Sequence, residues 1–377
     1  MLIQRGGRDS VATIVLSGYF GYNNAGDEAL LKAMIAALRS KRPDIRIIVL
    51  SGQPALTRKD HQVIAVHRYN PLAIVAAILQ ADLIVSGGGS LLQDVTGKLT
   101  IPYYLMVVAL GLLFRRKCMF YAQGIGPVNG RFGKALIKWV ANRTDLITLR
   151  DAASAKRLQR MGVKNPSMLV TADPVFGLTP EEKKRVTDLQ TGRAEAVFCL
   201  RGWKNGPDLE GACLKLAQHL LDRGWRVTFL PMHAEEDLAI CRNMTRQLNH
   251  SRVQLIDEEL HYENAINTIA ESSLLVGVRL HSLLFATLLG IPIIGIAYDP
   301  KVTGFLNELG RPAFGETPEL TGYQLIREFE RILSNYEKEQ QAVFDFAHEL
   351  KNRALVTAQL AIELMEDKGP DKRTKSR

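Results

Sequence analysis

Arg279 and His281 directly follow the apolar stretch Leu274–Val278, and Asp299 and Lys301 close the stretch that continues through Ile293–Ala297. Two cations, an imidazole and a carboxylate at the ends of consecutive apolar segments suit a small anionic substrate that also needs a proton moved. A guanidinium fork matches carboxylate and phosphate bidentately, and imidazole titrates near neutrality, with a reference pKa of about 6.5. Arg150 and Arg201 occupy the same place after Leu146–Leu149 and Ala196–Leu200. A single Arg there commonly pairs with a carboxylate, as Asp151 offers Arg150. Three in equivalent positions point to a substrate carrying both carboxylate and phosphate. His233, after Arg226–Leu230, is a lesser candidate of the same kind.

A second set is polar but not cationic. The turn Gly18–Asp27 (GYFGYNNAGD) carries Asn23, Asn24 and Asp27. Its glycines do not form G-x-G-x-x-G, and no Gly-Lys-Ser/Thr follows, so it is neither a dinucleotide fingerprint nor a Walker loop. Asp27 at a helix start would repel the phosphate that the helix dipole attracts. Amide and carboxylate groups suit a hydroxyl-rich ligand such as a sugar; alternatively the turn is structural, with Asp27 as the N-cap. Gly87–Ser90 allows close backbone approach, and Gln93 and Asp94 beyond it are further hydroxyl-binding candidates. No H-x-x-x-H or H-E-x-x-H is present, so no metal site is expected. The absence of G-x-S-x-G and S-x-x-K argues against a serine nucleophile.

These residues need a scaffold that presents strand ends. Apolar runs of four to six residues alternate with amphipathic helices, among them Thr13–Ser17 before Glu28–Arg39 and Leu274–Val278 before Ser282–Leu289. Such alternation predicts parallel sheets and the α/β class. The 377 residues exceed one ordinary core. The composition shifts to polar at Thr179–Arg193, which divides the chain into an N-terminal α/β domain over residues 11–178 and a C-terminal one over 194–335. A helix over 336–366 and a basic tail over 367–377 complete it.

Composition agrees with a globular protein, with 46% hydrophobic and 23% charged residues. The four scattered cysteines have no C-x-x-C and read as buried thiols of a reducing compartment. No signal peptide is visible, which predicts a cytoplasmic protein. The apolar run Leu99–Phe114 is shorter than the roughly 20 residues a spanning helix needs and reads as a buried helix. Because Arg115, Arg116 and Lys117 follow it, peripheral contact with the inner membrane face is the alternative. Net charge is +9, four units of it in Lys368–Arg377. No aromatic-interleaved basic patch or nucleic-acid motif accompanies the charge, so nucleic acid is not an expected partner. Oligomeric state has no signature here.

Six blocks in order carry a resemblance: GYFGYNNAGDEA, SGGGSLLQD, YAQGIGPV, LRDAASAKRL, TADPVF and GVRLHSLLFATLLGIPIIGIAYDPKV. Together they resemble the polysaccharide pyruvyl transferase family over about residues 12–340, most nearly its bacterial members acting on secondary cell-wall polymers, which serve S-layer anchoring. The resemblance implies a GT-B-like fold, two Rossmann-like domains whose parallel sheets face a cleft. It implies transfer of pyruvyl from phosphoenolpyruvate, a co-substrate, to two hydroxyls of a sugar, often N-acetylmannosamine, free or lipid-linked. A cyclic ketal and phosphate result, and no cofactor or metal is required. On that reading Arg279, Arg201, Lys301 and Arg150 hold the donor. Asn23, Asn24, Gln93 and Asp94 hold the acceptor, while His281 and Asp27 move protons. The rival readings are a GT-B glycosyltransferase using a nucleotide sugar and a non-catalytic basic polysaccharide-binding protein.

Overall fold

The structure, a computed structural model, describes residues 11–94, 97, 99–180, 189, 194–202, 208–257, 261–315 and 320–367. Most of the polar segment Thr179–Arg193 and all but the first residue of the basic tail lie outside the described residues. Two compact units are present. The first comprises Met1–Tyr22, Leu30–Gly177 and Arg353–Arg377, and the second Asn23–Ala29 and Leu178–Asn352.

In the first unit seven strands make one sheet: β1 (Thr13–Ser17), β2 (Arg46–Ser51), β3 (Ile64–His67), β4 (Leu83–Gly87), β5 (Lys117–Gln123), β6 (Leu146–Leu149) and β7 (Met168–Val170). Their order is β3-β2-β1-β4-β5-β6-β7, and every pairing is parallel. The connecting helices are α1 (Ala25–Lys41), α2 (Pro54–His61), α3 (Pro71–Gln80), α4 (Thr100–Leu113), α5 (Arg131–Ala141) and α6 (Ala152–Arg160).

The second sheet has β8 (Glu195–Cys199), β9 (Arg226–Phe229), β10 (Val253–Leu255), β11 (Leu274–Gly277), β12 (Ile293–Ile296) and β13 (Ala313–Phe314). Their order, β10-β9-β8-β11-β12-β13, repeats the first, again all parallel. Its helices are α7 (Leu209–Asp222), α8 (Ala234–Leu248), α9 (Tyr262–Ala270), α10 (Leu280–Leu288), α11 (Pro300–Glu308) and α12 (Gly322–Ser334), with α13 (Tyr336–Glu366) closing the chain. Each unit is thus Rossmann-like, the α/β class that the alternation predicts.

Both faces of the first sheet are covered. Side chains of α3, α4 and α5 pack on one face with Val15, Ile84 and Phe120. On the other face α1 packs with Ile14, Leu16 and Val85, and Ala358, Ala361 and Ile362 of α13 complete that core. Burial on both faces explains why the strands are apolar runs without alternation. From Arg353 onward α13 belongs to the first unit: Arg353 donates to the Thr171 carbonyl at 2.8 Å, and the Thr357 and Thr171 hydroxyls lie 2.9 Å apart.

Several elements differ from the sequence reading. The short helix α2 and the edge strand β3 were not foreseen, because α2 is polar (PALTRKDH) and β3 buries one residue of four. Helix α11 was missed as well, although Asp299 followed by Pro300 is a start signal. The Asp299 side chain accepts from the Lys301 backbone N–H at 2.9 Å and Pro300 takes the first turn. The first helix begins at Ala25, not Glu28, and its cap is Asn24, not Asp27. Asn24 Oδ1 accepts from the backbone N–H groups of Gly26 at 3.0 Å and Asp27 at 3.4 Å.

Replacing Ala361 by Asp puts an unpaired carboxylate into a fully buried position of the first core. We expect a loss of about 3 kcal/mol, read as a lowered urea midpoint in equilibrium unfolding followed by far-UV circular dichroism.

Candidate active site

A sheet wound from its middle outward parts its connections at one place, and ligands of open α/β sheets bind past the strand ends there. In the first unit that place lies between β1 and β4, and in the second between β8 and β11. The Gly18 turn follows β1 and the Gly87–Ser90 turn follows β4. Arg201 follows β8 by one residue beyond Leu200, and Arg279 follows β11 beyond Val278. Four of the segments singled out by sequence therefore sit at the two winding reversals.

In the second unit the arginines are not bare. Arg279 donates from Nε to Asp237 Oδ2 at 3.1 Å and from Nη2 to Asp237 Oδ1 at 2.5 Å and Glu236 Oε2 at 2.6 Å. Arg201 Nη2 lies 3.0 Å from the same Glu236 oxygen. Its Nη1 donates to the Tyr298 hydroxyl at 3.3 Å, with the guanidinium 5.5 Å from the centre of that ring. Glu236 thus joins the two guanidiniums. Lys301 Nζ pairs with Asp299 at 3.3 Å. Three cations face three carboxylates.

The two neighbouring acids differ in kind. Asp237 is fully buried and Glu236 is 45% exposed. Burial pushes the Asp237 carboxyl above the ordinary aspartate value, against the pull of Arg279. For Glu236 burial also pushes up, but hydrogen bonding and charge from Arg279, then the charge of Arg201, outweigh it and leave the group below its ordinary value. Asp237 also accepts from the backbone N–H of His233 at 3.0 Å, which fixes the first turn of α8. Nδ1 of His233 is buried and makes no hydrogen bond.

His281 is the second residue of α10 and is half-buried. Segment 23–29 belongs to the same unit, and Gly26 lies against the imidazole. A Cβ added to Gly26 would come within 2.1 Å of His281 Nδ1. Glycine is needed here for close approach. Asp27 and Asn24 therefore share a unit with His281. Asn24 spends its carbonyl oxygen on the cap, and Asn23 is exposed in the left-handed region at φ 53°.

The remaining candidates lie in the first unit and brace loops. Arg150 is buried; it donates to Ser90 Oγ at 2.8 Å, Asp151 at 3.3 Å and Asp173 at 3.5 Å. Burial raises the Asp173 carboxyl even against Arg150. Arg150 so ties the Gly-Gly-Gly-Ser turn to two acids, the partner type that its neighbour Asp151 suggests. Asp94 Oδ2 accepts from the backbone N–H groups of Asn129 at 2.6 Å and Gly130 at 2.8 Å. Gln93 packs against Gly126.

Sequence reasoning missed Glu236, Asp237 and Tyr298 as site residues, and also Arg68. Arg68 is buried, donates to the Gly18 carbonyl at 3.0 Å, and lies 4.4–5.5 Å from the ring centres of Tyr22, Tyr69, Tyr103 and Tyr104. The aromatic faces take the place of a carboxylate, and Arg68 holds the start of the Gly18 turn. The one available signal was the run of tyrosines at 19, 22, 69, 103 and 104.

Asp237→Asn keeps the size of the side chain and removes its charge opposite Arg279. We expect about 2 kcal/mol of lost stability, measured by denaturant unfolding. Gly26→Ala should displace the His281 ring, seen as shifted imidazole resonances in NMR spectra, and cost about 1–3 kcal/mol as an overpacked contact.

Comparison with known proteins accords with this geometry. The profile of the polysaccharide pyruvyl transferase family matches residues 24–300. The amylovoran biosynthesis protein AmsJ of Erwinia amylovora is 22% identical, across 88% of this chain and 94% of its own length. Among solved structures, MnaA of S. aureus with UDP superposes with a TM-score of 0.65 at 12% identity, over 93% of this chain and 95% of that one. A UDP-GlcNAc 2-epimerase from Neisseria meningitidis bound to UDP-GlcNAc superposes with 0.62 at 10% identity, over 94% and 99%. These similarities show a GT-B-like fold. The family match covers most of the sequence and includes both the Asn24 cap and the Arg279–His281 strand end, and the chain belongs to the polysaccharide pyruvyl transferase family.

Proposed function

We propose that the chain transfers the pyruvyl group of phosphoenolpyruvate to two hydroxyls of a sugar, closing a cyclic ketal and releasing phosphate. The sugar, such as an N-acetylmannosamine unit, belongs to a cell-wall polysaccharide or its lipid-linked precursor. The observation that most supports this reading is the guanidinium pair at the winding reversal of the second sheet. Arg201 and Arg279 meet at one half-exposed carboxylate, Glu236, and His281 stands two residues beyond Arg279. A donor with a carboxylate and a phosphate would replace Glu236 between the two forks. Asp237, fully buried, would keep Arg279 oriented throughout. Lys301 would add a third cation for the phosphate.

The chemistry then balances with no metal or cofactor. His281 would give a proton to the methylene carbon of the enol phosphate, and one sugar hydroxyl would attack the adjacent carbon, forming a C–O bond. The bond from that carbon to the phosphate oxygen breaks, and the second hydroxyl closes the ring. Of the two hydroxyl protons, one restores His281 and the other leaves with phosphate. Asp27, in the segment whose Gly26 packs on His281, would accept a hydroxyl proton, and Asn23 would offer its amide to the sugar. The nucleotide-sugar reading draws on fold likeness alone.

Mass spectrometry of the product with phosphoenolpyruvate and an N-acetylmannosamine-containing acceptor, together with phosphate release, tests the reading. An unchanged acceptor mass would refute it. General acid catalysis contributes about 10²–10⁴-fold, so His281→Ala should lower the transfer rate by that order; a rate within a few fold of the parent would remove His281 from the role. Arg279→Lys should raise the phosphoenolpyruvate requirement, because the fork is lost. Glu236→Gln should lower that requirement, since the donor no longer competes with a carboxylate, while an increase would place Glu236 among the groups that bind substrate.

A further inference from the structure

The layer formed by α3, α4 and α5 shows an unusual outer surface. Eight of the seventeen exposed large apolar side chains among the described residues lie on these helices and their caps. They recur every seven residues: Leu72 and Leu79 on α3, Leu99, Met106 and Leu113 along α4, Phe132 and Trp139 on α5. A seven-residue step is two helical turns, so each helix carries one outward apolar stripe along its length. The inward faces of the same helices fill the core against the sheet. Leu72, Leu99, Leu113 and Phe132 are each more than 70% exposed.

Charge on this layer has one sign. Residues 95–144 contain eight Lys and Arg and no Asp or Glu; of the eight, Lys117 of β5 is turned to the end of α13 and pairs with Asp367. Arg131, Lys134 and Lys138 flank the Phe132–Trp139 stripe and are exposed, and Arg143 sits 5.0 Å from the Trp139 ring centre. Arg115 follows α4 and is exposed. Outward apolar stripes bordered by cations fit a surface with apolar depth and negative headgroups. A second copy fits poorly, because an isologous contact would set this uncompensated positive face against itself. A soluble polyanion would leave the leucine and phenylalanine stripes uncovered. No helix among the described residues is long and apolar enough to cross a membrane, so the contact would be peripheral.

We propose that the α3–α4–α5 face of the first unit docks on an anionic lipid bilayer. The inference stands apart from the pyruvyl transfer reading, since it uses none of the residues assigned there.

Sedimentation of the full chain with vesicles tests it. Binding to phosphatidylcholine vesicles carrying about one third phosphatidylglycerol should exceed binding to phosphatidylcholine alone by at least tenfold, and should weaken with salt. Lys134→Glu with Lys138→Glu should abolish that preference, and Met106→Glu with Leu113→Glu should lower binding at least tenfold. All four positions are solvent-facing, so thermal midpoints should stay near the parent value, and transfer to a water-soluble acceptor should not change. Equal binding to both vesicle types, or unaltered binding by both double variants, would overturn the proposal. So would retention on heparin without retention on vesicles, or a dimer in light scattering that Met106→Glu with Leu113→Glu dissociates.

Discussion

Winding a parallel sheet outward from its middle imposes one constraint on everything that follows. Right-handed crossovers send the connections to opposite faces on the two sides of the starting strand. Only past the ends of the two central strands is there room that no helix crosses. Both sheets obey this order, with β1 beside β4 and β8 beside β11. The polar turn after β1, the glycine turn after β4 and the arginines after β8 and β11 are placed by topology before any side-chain detail is considered. That is why chemistry-bearing residues could be located from strand ends alone.

Much of the fold was legible for the same reason. Strands buried on both faces are short apolar runs, and the runs Thr13–Ser17 and Leu146–Leu149 have the bounds of β1 and β6. What escaped was marginal in hydrophobicity: the polar helix α2, the edge strand β3, and a helix start at Asn24 hidden by the more conspicuous Asp27. The site was legible in its cations and illegible in their partners. Arg201, Arg279 and His281 announce themselves by following strands. Glu236 and Asp237 open a helix more than forty residues before Arg279, and an acidic first turn is ordinary helix chemistry. Nothing local marks them as counter-charges; only the adjacency of β8, β9 and β11 brings α8 to the strand ends.

The partners change what the arginines are. Read from sequence, they form a cationic rim. In the structure they form a charge-balanced cluster in which one acid is buried and the other half-exposed. A buried guanidinium without a counter-charge is costly, and Asp237 offsets that cost for Arg279. Arg68 solves the same problem differently, with aromatic faces and a carbonyl, and so organises the polar turn without adding a negative group beside it.

The long terminal helix has a consequence for how the molecule is made. Ala358, Ala361 and Ile362 belong to the core of the first unit, which otherwise ends at Gly177. During synthesis the first sheet can collapse early with α1 on its second face, yet that face lacks Ala358, Ala361 and Ile362 until α13 has been made. The second unit lies between those two points and needs only the Asn23–Ala29 segment from upstream. The second unit can therefore complete its core before the first does, a reversal of the usual N-terminal-first order.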